Sequence, residues 1–338
     1  MYYKLTLFIT ALLFTGAASA AGQQQEPLGE RLNEQFKSEA FNLGFLLQAE
    51  GVFSFDDDDF NGGRAYDIGA TRLDFRGTVD GNFTYRLQTD FRNQVSVIDA
   101  QVGYRFSDQL HLVAGSFKPF LSIDLDPSPG DTDFMNRARQ VGAMMNSREI
   151  GATVLGTVGG LDYRVGMYNG TGRSRNNDNR FLYTSRLGYT FELPDGSVEI
   201  GFNGALNQTE GNTVGNTGLR SEGDRVLYGG YLKYDSSRLF GAFELLQTSF
   251  DTPDFGGNEE TITGFFGTAG VRLDNKNELL ARWDHLEFDL QGDSSELITI
   301  GWNHQATSLI SFAVNGLARF GDDIDEQFGV SGMMQFQF

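Results

Sequence analysis

Residues 41–55 read FNLGFLLQAEGVFSF, and this stretch decides the fold. Its odd positions are mostly apolar from Phe41 to Phe55, whereas its even positions carry polar residues such as Asn42 and Gln48. An alternation with a period of two is typical of a strand with one apolar face and one polar face. The stretch is about fifteen residues long, whereas an average strand has five or six. It therefore predicts an unusually long β-strand.

The same alternation recurs to the end of the chain, most clearly at 82–92, 181–191 and 327–338. Between these segments, short connectors rich in Gly, Asp, Asn and Ser alternate with long connectors. This is typical of consecutive hairpins whose connections lie at the two opposite ends of a sheet. The pattern predicts sixteen strands, roughly at 41–55, 67–78, 82–92, 95–106, 110–120, 148–158, 161–169, 180–192, 198–208, 225–235, 238–250, 261–273, 278–289, 297–306, 309–320 and 327–338.

Long strands with this rhythm predict an all-β fold, a transmembrane antiparallel β-barrel of about sixteen strands. An even strand number, short turns at one end and long loops at the other are expected of such barrels. A soluble β-sandwich or β-propeller is the alternative, with shorter strands and an apolar face that forms a core. Counts of 14 or 18 strands stay open, because the segment 110–120 breaks its own alternation.

The composition narrows the classes of function. The 338 residues include no cysteine, three histidines, 43 glycines, 30 phenylalanines and only six prolines. Disulfide scaffolds, thiol nucleophiles and Cys-ligated metals are excluded, and the aromatic content argues against disorder. The net charge of −19 argues against nucleic acid as a partner, since nucleic-acid phosphates call for a basic face.

The N-terminus reads as an export signal. Lys4 precedes an apolar run from Leu5 to Phe14, and the small residues Ala18-Ser19-Ala20 follow. These are the three regions of a cleaved signal peptide. The sequence thus predicts a signal peptide at 1–20, an N-terminal segment with a short helix at 21–40, and a single barrel domain at 41–338. A retained N-terminal anchor is the alternative to cleavage.

Four segments between about 95 and 190 resemble the phosphate-selective porin O and P family. They are Val113–Phe120 (VAGSFKPF), Met135–Arg139 (MNRAR), Ser147–Gly151 (SREIG) and Gly166–Gly170 (GMYNG). The alternating last strand that ends in Phe338 also resembles the C-terminal aromatic signature of outer-membrane proteins. The resemblance implies a porin in the outer membrane of a Gram-negative bacterium, with outer-membrane lipid and lipopolysaccharide around it. It further implies a homotrimer and a third loop that folds inward.

If the apolar face meets lipid, the polar face lines the lumen. The basic residues predicted to line the pore are Arg72, Arg76, Arg86, Arg92, Arg105, Arg164, Arg186, Arg272 and Arg319, and Lys233 and Arg282 are also expected to point inward. An arginine guanidinium suits phosphate and other anions. The alternative is that these arginines pair with neighbouring carboxylates, as in Arg72 with Asp74 or Arg86 with Asp90, and stiffen the wall.

The longest predicted connector, 121–147, is the expected constriction loop, because charged side chains at a narrow point set selectivity. Its candidate residues are Asp131, Asp133, Arg137 and Arg139, with an acidic half preceding a basic half. We expect Arg137 and Arg139 to face the pore opposite wall arginines such as Arg86. Lys118 matches the family motif, but the broken alternation leaves its direction open.

Other functional classes leave weaker signals. The run Asp56–Asp59 could bind a divalent cation, although it fits no calcium loop and a solvated run is the simpler interpretation. A hydrolase could use His285 or His304, but no nucleophile signature accompanies them. Trp283 and Trp302 precede these histidines by two residues and indicate positions at the membrane interface. No enzyme activity, cofactor or metal is predicted. The sequence predicts a channel for small hydrophilic solutes, with a preference for phosphate or other anions; a general or weakly cation-preferring porin and a plugged barrel are the alternatives.

Overall fold

A computed structural model describes residues 28–56, 60, 63–175, 179–322 and 325–338. The predicted signal peptide and Asp57–Asp59 lie outside the described residues. The strands are β1 Asn42–Ser54, β2 Arg64–Val79, β3 Phe83–Asp90, β4 Ser96–Ser107, β5 Leu110–Phe117, β6 Glu149–Val158, β7 Leu161–Tyr168, β8 Leu182–Leu193, β9 Gly196–Thr213, β10 Arg220–Ser236, β11 Leu239–Thr252, β12 Asn258–Arg272, β13 Asn277–Phe288, β14 Asp293–Gln305, β15 Ile310–Gly321 and β16 Gln327–Gln337. The helices are α1 Leu28–Phe36 and α2 Arg139–Met144.

These sixteen strands form one closed barrel in which each strand pairs with its neighbours in the sequence. The barrel closes where β1 runs antiparallel to β16, with Leu47 opposite Phe336. The backbone N–H of Phe338 donates to the carbonyl of Phe45 at 3.1 Å and completes this seam. The predicted all-β barrel and its strand number are therefore confirmed.

The two faces of the wall differ as the alternation predicts. Leu87 points outward and is 42% exposed, whereas its neighbour Gln88 points inward and is 4% exposed. Apolar side chains cover most of the outer surface, which is the arrangement that a hydrocarbon environment requires of a closed barrel. Among the described residues, no helix is long and apolar enough to cross a membrane.

Short turns gather at one end of the barrel, here called the turn end, and longer loops gather at the other, the loop end. The turn between β6 and β7 is the pair Gly159-Gly160, with φ of 55° and 88°. Two successive positive φ values define the tight turn that matches strand twist, and glycine adopts them without strain. The connector between the strands predicted at 198–208 and 225–235 is shorter than those bounds imply, because β9 and β10 extend into it and leave only 214–219.

The broken alternation in β5 has a structural cause. Val113 and Phe117 point into the lumen and pack there against Tyr168 and Leu182. An apolar inner face removes the contrast with the outer face, so the sequence pattern fades although the strand is regular. At the turn end, α1 lies near the barrel seam, where the ring of Phe36 is 6.1 Å from that of Phe338.

Candidate pore constriction

The segment 118–148, which joins β5 to β6 and is called the constriction loop below, folds into the barrel. Its residues Leu121, Leu125, Val141 and Met144 are buried in an apolar cluster against the inner wall. The wall and the neighbouring loop end contribute Leu227, Leu246, Phe250, Ile262, Val214 and Leu219 to this cluster. Burial of apolar side chains thus holds the loop across the lumen.

A buried carboxylate fixes the first part of the loop. Glu244 of β11 accepts hydrogen bonds from Ser122 Oγ at 2.6 Å, the Ile123 backbone N–H at 3.0 Å and Gln140 Nε2 at 3.0 Å. Asn203 Nδ2 of β9 donates to the same carboxylate at 3.0 Å. A buried charged group costs free energy unless donors satisfy it, and here four donors do so. Glu244 therefore sets the position of the loop.

The lysine of the VAGSFKPF segment also holds the loop. Lys118 Nζ donates to the backbone carbonyls of Leu125, Asp126 and Pro127 at 2.7, 3.2 and 2.6 Å. An ammonium group has three donors, so these three acceptors match its capacity. The structure thus gives Lys118 a direction that the sequence left open, toward the loop at the edge of the pore.

An opening of about 210 Å³, here called the eyelet, remains between the constriction loop and the wall from β2 to β5. The wall supplies arginines, polar groups and one aspartate, and the loop supplies Lys118, Arg148 and two aspartates. The eyelet is lined by Arg72, Arg76, Arg86, Gln88, Asp99, Gln101, Phe117, Lys118, Phe120, Asp126, Ser128, Asp131 and Arg148. Basic residues outnumber acidic ones in this lining.

Several wall arginines of the eyelet have carboxylate partners. Arg72 Nε lies 3.1 Å from Asp90 Oδ2, and Arg148 Nε lies 3.0 Å from Asp99 Oδ1. Arg86 Nε lies 2.9 Å from Asp74 Oδ1. Pairing with carboxylates agrees with the alternative interpretation of the arginines, but the predicted partners are wrong. Arg72 binds Asp90, which lies opposite it on β3, and Asp74 binds Arg86.

Other charges in the eyelet are less compensated. Arg76 is exposed, and no ion-pair partner is found for it among the described residues. Asp131 is exposed on the loop, where Gln337 Nε2 donates to its Oδ1 at 3.1 Å. The eyelet therefore has a cation on the wall, Arg76, and an anion on the loop, Asp131, for which no ion-pair partner is found among the described residues.

Comparison with known proteins now identifies the barrel. The family model for phosphate-selective porin O and P matches residues 41–338. The chain belongs to this family. It is 28% identical over 303 residues to outer membrane porin C of Salmonella typhimurium, a match that covers 78% of this chain and 74% of that protein.

Solved structures share the fold at low identity. The anion-selective porin from Comamonas acidovorans superposes with a TM-score of 0.67 at 13% identity, over 88% of this chain and 99% of that one. OmpT of Vibrio cholerae in its trimer form gives 0.65 at 13% identity, over 88% and 99%. This porin is accordingly a protein of the Gram-negative outer membrane, where the turn end faces the periplasm.

The arginines predicted for the pore of this porin divide by position. Arg72, Arg76 and Arg86 meet in the eyelet. Arg164 and Arg186 both bind Asp126 of the constriction loop, so they hold the loop in place. The remaining four lie away from the eyelet. At the loop end, Arg92 pairs with Asp67, and Arg319 lies near the end of β15. At the turn end, Arg105 is exposed, and Arg272 pairs with Asp235 and Glu278.

The two loop arginines also separate. Arg137 bonds within the loop, where its Nη2 donates to the Pro127 carbonyl. Burial lowers its pKa, Asp124 raises it, and the cations Arg148 and Arg72 lower it further. That Arg137 faces the pore stays a prediction. The prediction that Arg139 faces the pore is wrong. Its Nε lies 3.2 Å from Asp284 Oδ1, and its Nη1 donates to Ser295 Oγ at 2.7 Å. The reason is that α2 turns this side chain toward β13 and β14.

The two predicted loop aspartates face different spaces. Asp131 borders both the eyelet and a larger space of about 660 Å³ toward the turn end of β12 to β16, here called the vestibule. Asp133 borders only the vestibule of these two. Burial and the negative charges of Asp124 and Glu278 raise the pKa of Asp133, while Arg282 and Arg272 act in the opposite direction.

Sequence reasoning left two eyelet cations, Lys118 and Arg148, out of the candidate set. Each lies in a segment that resembles the family, VAGSFKPF or SREIG, and that resemblance was the available signal. His285 and His304 lie on the outer face, stacked on Phe265 and Trp302 at 5.0 and 5.5 Å between ring centroids. In the part of the chain that the structure describes, no group of three or more His, Cys, Asp or Glu is placed to hold a metal ion.

Proposed function

We propose that this porin conducts small hydrophilic solutes by passive diffusion and prefers anions, phosphate among them. The observation that carries the proposal is the excess of basic residues around the eyelet. Arg76 lies there, and no carboxylate partner is found for it among the described residues. A charged lining at the narrowest point sets the local concentration of permeating ions.

Phosphate has a specific chemical reason to favour this opening. Arg72 and Arg86 present guanidinium groups from the adjacent strands β2 and β3, and Arg148 presents one from the end of the constriction loop. Guanidinium binds phosphate oxygens in a bidentate fashion. The carboxylates that pair with these arginines keep them in fixed positions, and they also reduce the net field. The paired arginines therefore support a moderate preference for anions. We expect phosphate to bind more weakly than it would in a pore lined by unpaired cations.

A general or weakly cation-preferring porin is the second candidate. It is favoured by the ion pairs of Arg72, Arg86 and Arg148 and by the exposed carboxylate of Asp131. The net charge of −19 also attracts cations to the surface of the protein, although salt screens such long-range effects. The two candidates differ in the sign of the selectivity.

The reversal potential in a KCl gradient across a planar bilayer distinguishes them. The purified full-length porin is expected to give a reversal potential of anion-selective sign. Inorganic phosphate added to one side is expected to reduce the chloride current. A reversal potential of cation-selective sign, with no effect of phosphate, would establish the second candidate instead.

We further propose that this porin is a homotrimer in contact with outer-membrane lipid and lipopolysaccharide. Support comes from the family and from the trimer form of the Vibrio cholerae protein, which has the same fold. Chemical cross-linking of the porin in outer membranes tests this proposal. A ladder that ends at three subunits is the expected result, and a single band at one subunit contradicts it.

A further inference from the structure

Three glutamines hold the tip of the constriction loop at the seam where the barrel closes. Gln48 Nε2 of β1 donates to the Pro129 carbonyl at 3.0 Å, and Gln335 Nε2 of β16 donates to the Gly130 carbonyl at 3.0 Å. Gln337 donates to Asp131, as described above. These three side chains are called the glutamine clasp below.

Hydrogen bonds join the clasp glutamines to one another and to the wall. Gln48 Nε2 also donates to Gln335 Oε1 at 2.8 Å, and Gln48 Oε1 accepts from the Ala70 backbone N–H at 3.0 Å. Gln48 and Gln335 are 4% and 6% exposed. The hydrogen bond between these two buried amides fixes the direction of each, so their remaining donors present a defined site to the loop tip.

The tip is held differently from the rest of the loop. Glu244 and Asp284 bind the loop through charge-assisted hydrogen bonds, whereas two of the three clasp bonds join neutral amides to carbonyls. Neutral hydrogen bonds are the weaker kind. Next to the tip, Asn303 Nδ2 donates to the Asp133 carbonyl and Arg282 Nη2 donates to the Asn136 carbonyl, both at 2.8 Å, so separate contacts hold the following residues. The seam contact itself can be removed without disturbing a buried charge.

The tip also separates two spaces. The vestibule is bordered by Gly130 and Asp131 of the tip and by Gln335 and Gln337 of the clasp, and the eyelet lies on the other side of Asp131. While the clasp holds the tip against the seam, the tip lies between the eyelet and the vestibule and narrows the connection between them.

The wall that the loop covers has the composition of a wetted lumen. Thr299 Oγ1, Asn315 Oδ1 and Ser331 Oγ are buried, point inward from β14, β15 and β16, and have no hydrogen-bond partner in the structure. Phe134 of the loop covers this region beside Gly301 and Asn315. Buried polar atoms in proteins are normally hydrogen-bonded, so this wall suits contact with water better than contact with Phe134.

We propose that the glutamine clasp determines the specificity of this porin by confining solutes to the eyelet. Release of the clasp lets the loop tip leave the seam, which widens the connection between the eyelet and the vestibule beside the polar wall of β14 to β16. The released pore is wider and less selective. The inference rests on the proposed channel function, and its experiments are chosen to separate the two.

The first experiment removes the clasp donor while it keeps the side-chain volume. Gln335→Met loses the bond to Gly130 and the acceptor for Gln48. The matched control is Gln327→Met, an inward glutamine on the same strand for which no hydrogen bond to the constriction loop is found among the described residues. Gln335→Met is expected to raise the single-channel conductance and move the reversal potential toward zero. The control is expected to match the parent in both.

The second experiment uses the absence of native cysteine. Asn315→Cys places one thiol on the covered wall, and a charged thiol reagent added in water reports its access. Modification is expected to be slow in the clasped barrel and faster when Gln335→Met is added, but not when Gln327→Met is added. Gln48→Met, from the other side of the seam, repeats the test if Gln335→Met inserts poorly.

The outcomes separate the two proposals. A parent that inserts and conducts no ions removes the proposed function, while thiol access still tests the clasp. A parent that conducts, with conductance, selectivity and thiol access all unchanged by Gln335→Met and Gln48→Met, overturns the clasp and leaves the channel function standing. Loss of conductance in both variants, with folded barrels, would also contradict the clasp, because release is expected to widen the pore.

Discussion

Arg139 and Asp284 are joined by three hydrogen bonds that attach the start of α2 to β13. The backbone N–H of Arg139 donates to Asp284 Oδ2 at 2.8 Å, its Nε donates to Oδ1 at 3.2 Å, and its Nη2 donates to the Asp284 carbonyl at 3.0 Å. The Asp284 side chain is completely buried. The inward fold of the constriction loop thus depends on a contact between residues far apart in the sequence.

Glutamate in place of Arg139 is expected to reduce stability, whereas glutamate in place of Arg137 is expected to change ion selectivity. Arg139→Glu places a carboxylate beside buried Asp284, and breaking a buried ion pair costs about 3–5 kcal/mol. We expect a lower melting temperature and a lower yield of inserted barrel. Arg137→Glu changes a side chain close to the eyelet arginines Arg72 and Arg148 and is expected to fold normally while it moves the reversal potential toward cation selectivity. Circular dichroism melts and planar-bilayer recordings measure the two effects; equal folding yields of the two variants would contradict the assignment.

The free cation of the eyelet is expected to dominate selectivity. Arg76→Glu reverses a charge that has no carboxylate partner among the described residues, so the anion preference should fall strongly. Arg105→Glu is the matched control, since Arg105 is exposed at the turn end, away from the eyelet. Reversal potentials in a KCl gradient test the pair, and the difference should shrink in high salt because screening shortens the reach of charges. Equal shifts for both variants would contradict an eyelet that sets selectivity.

The loop carboxylate is expected to oppose the wall cations. Asp131→Asn removes the negative charge and keeps an oxygen that can accept the hydrogen bond from Gln337. We expect stronger anion selectivity and stronger block by inorganic phosphate, with little change in stability because Asp131 is exposed. The same bilayer recordings measure both quantities. An unchanged reversal potential would show that Asp131 does not act on permeating ions.

The two faces of β3 are expected to tolerate charge differently. Leu87→Arg places a cation against lipid, which costs roughly 2–4 kcal/mol near the middle of the bilayer, whereas Gln88→Arg faces the lumen and largely escapes this cost. The fraction of protein that folds into lipid vesicles, read from the gel shift between unheated and boiled samples, measures the difference. Similar fractions for the two variants would contradict the facing of this strand.

Processing of the N-terminus is a separate prediction. The Ala18-Ser19-Ala20 site is expected to be cleaved, so that the protein in outer membranes begins at Ala21. Intact-mass analysis of the purified outer-membrane protein measures this directly. A mass that includes residues 1–20 would show that the segment is retained as an anchor.

The sequence by itself determined the barrel. Strand facing has a period of two and is a local property, so a stretch such as 41–55 states which side chains meet lipid without reference to the rest of the chain. The strand number follows from repeating that local pattern between turn residues. The eyelet arginines Arg72, Arg76 and Arg86 follow from the same rule, since their inward direction is fixed by their strands.

Only the tertiary structure decided the path of the constriction loop. Glu244 holds Ser122 and Gln140 from more than a hundred residues away, and no periodicity relates these positions. The apolar inner residues Leu246 and Phe250 likewise gain their role only when Val141 and Met144 arrive to cover them. Arg137 and Arg139 look alike in the sequence, but Arg137 bonds to the Pro127 carbonyl within the loop, whereas Arg139 binds Asp284 of the wall. The physical reason is that the facing of a strand residue depends on its neighbours in the chain. The path of a loop depends instead on the donors, acceptors and apolar surface that the folded barrel presents to it.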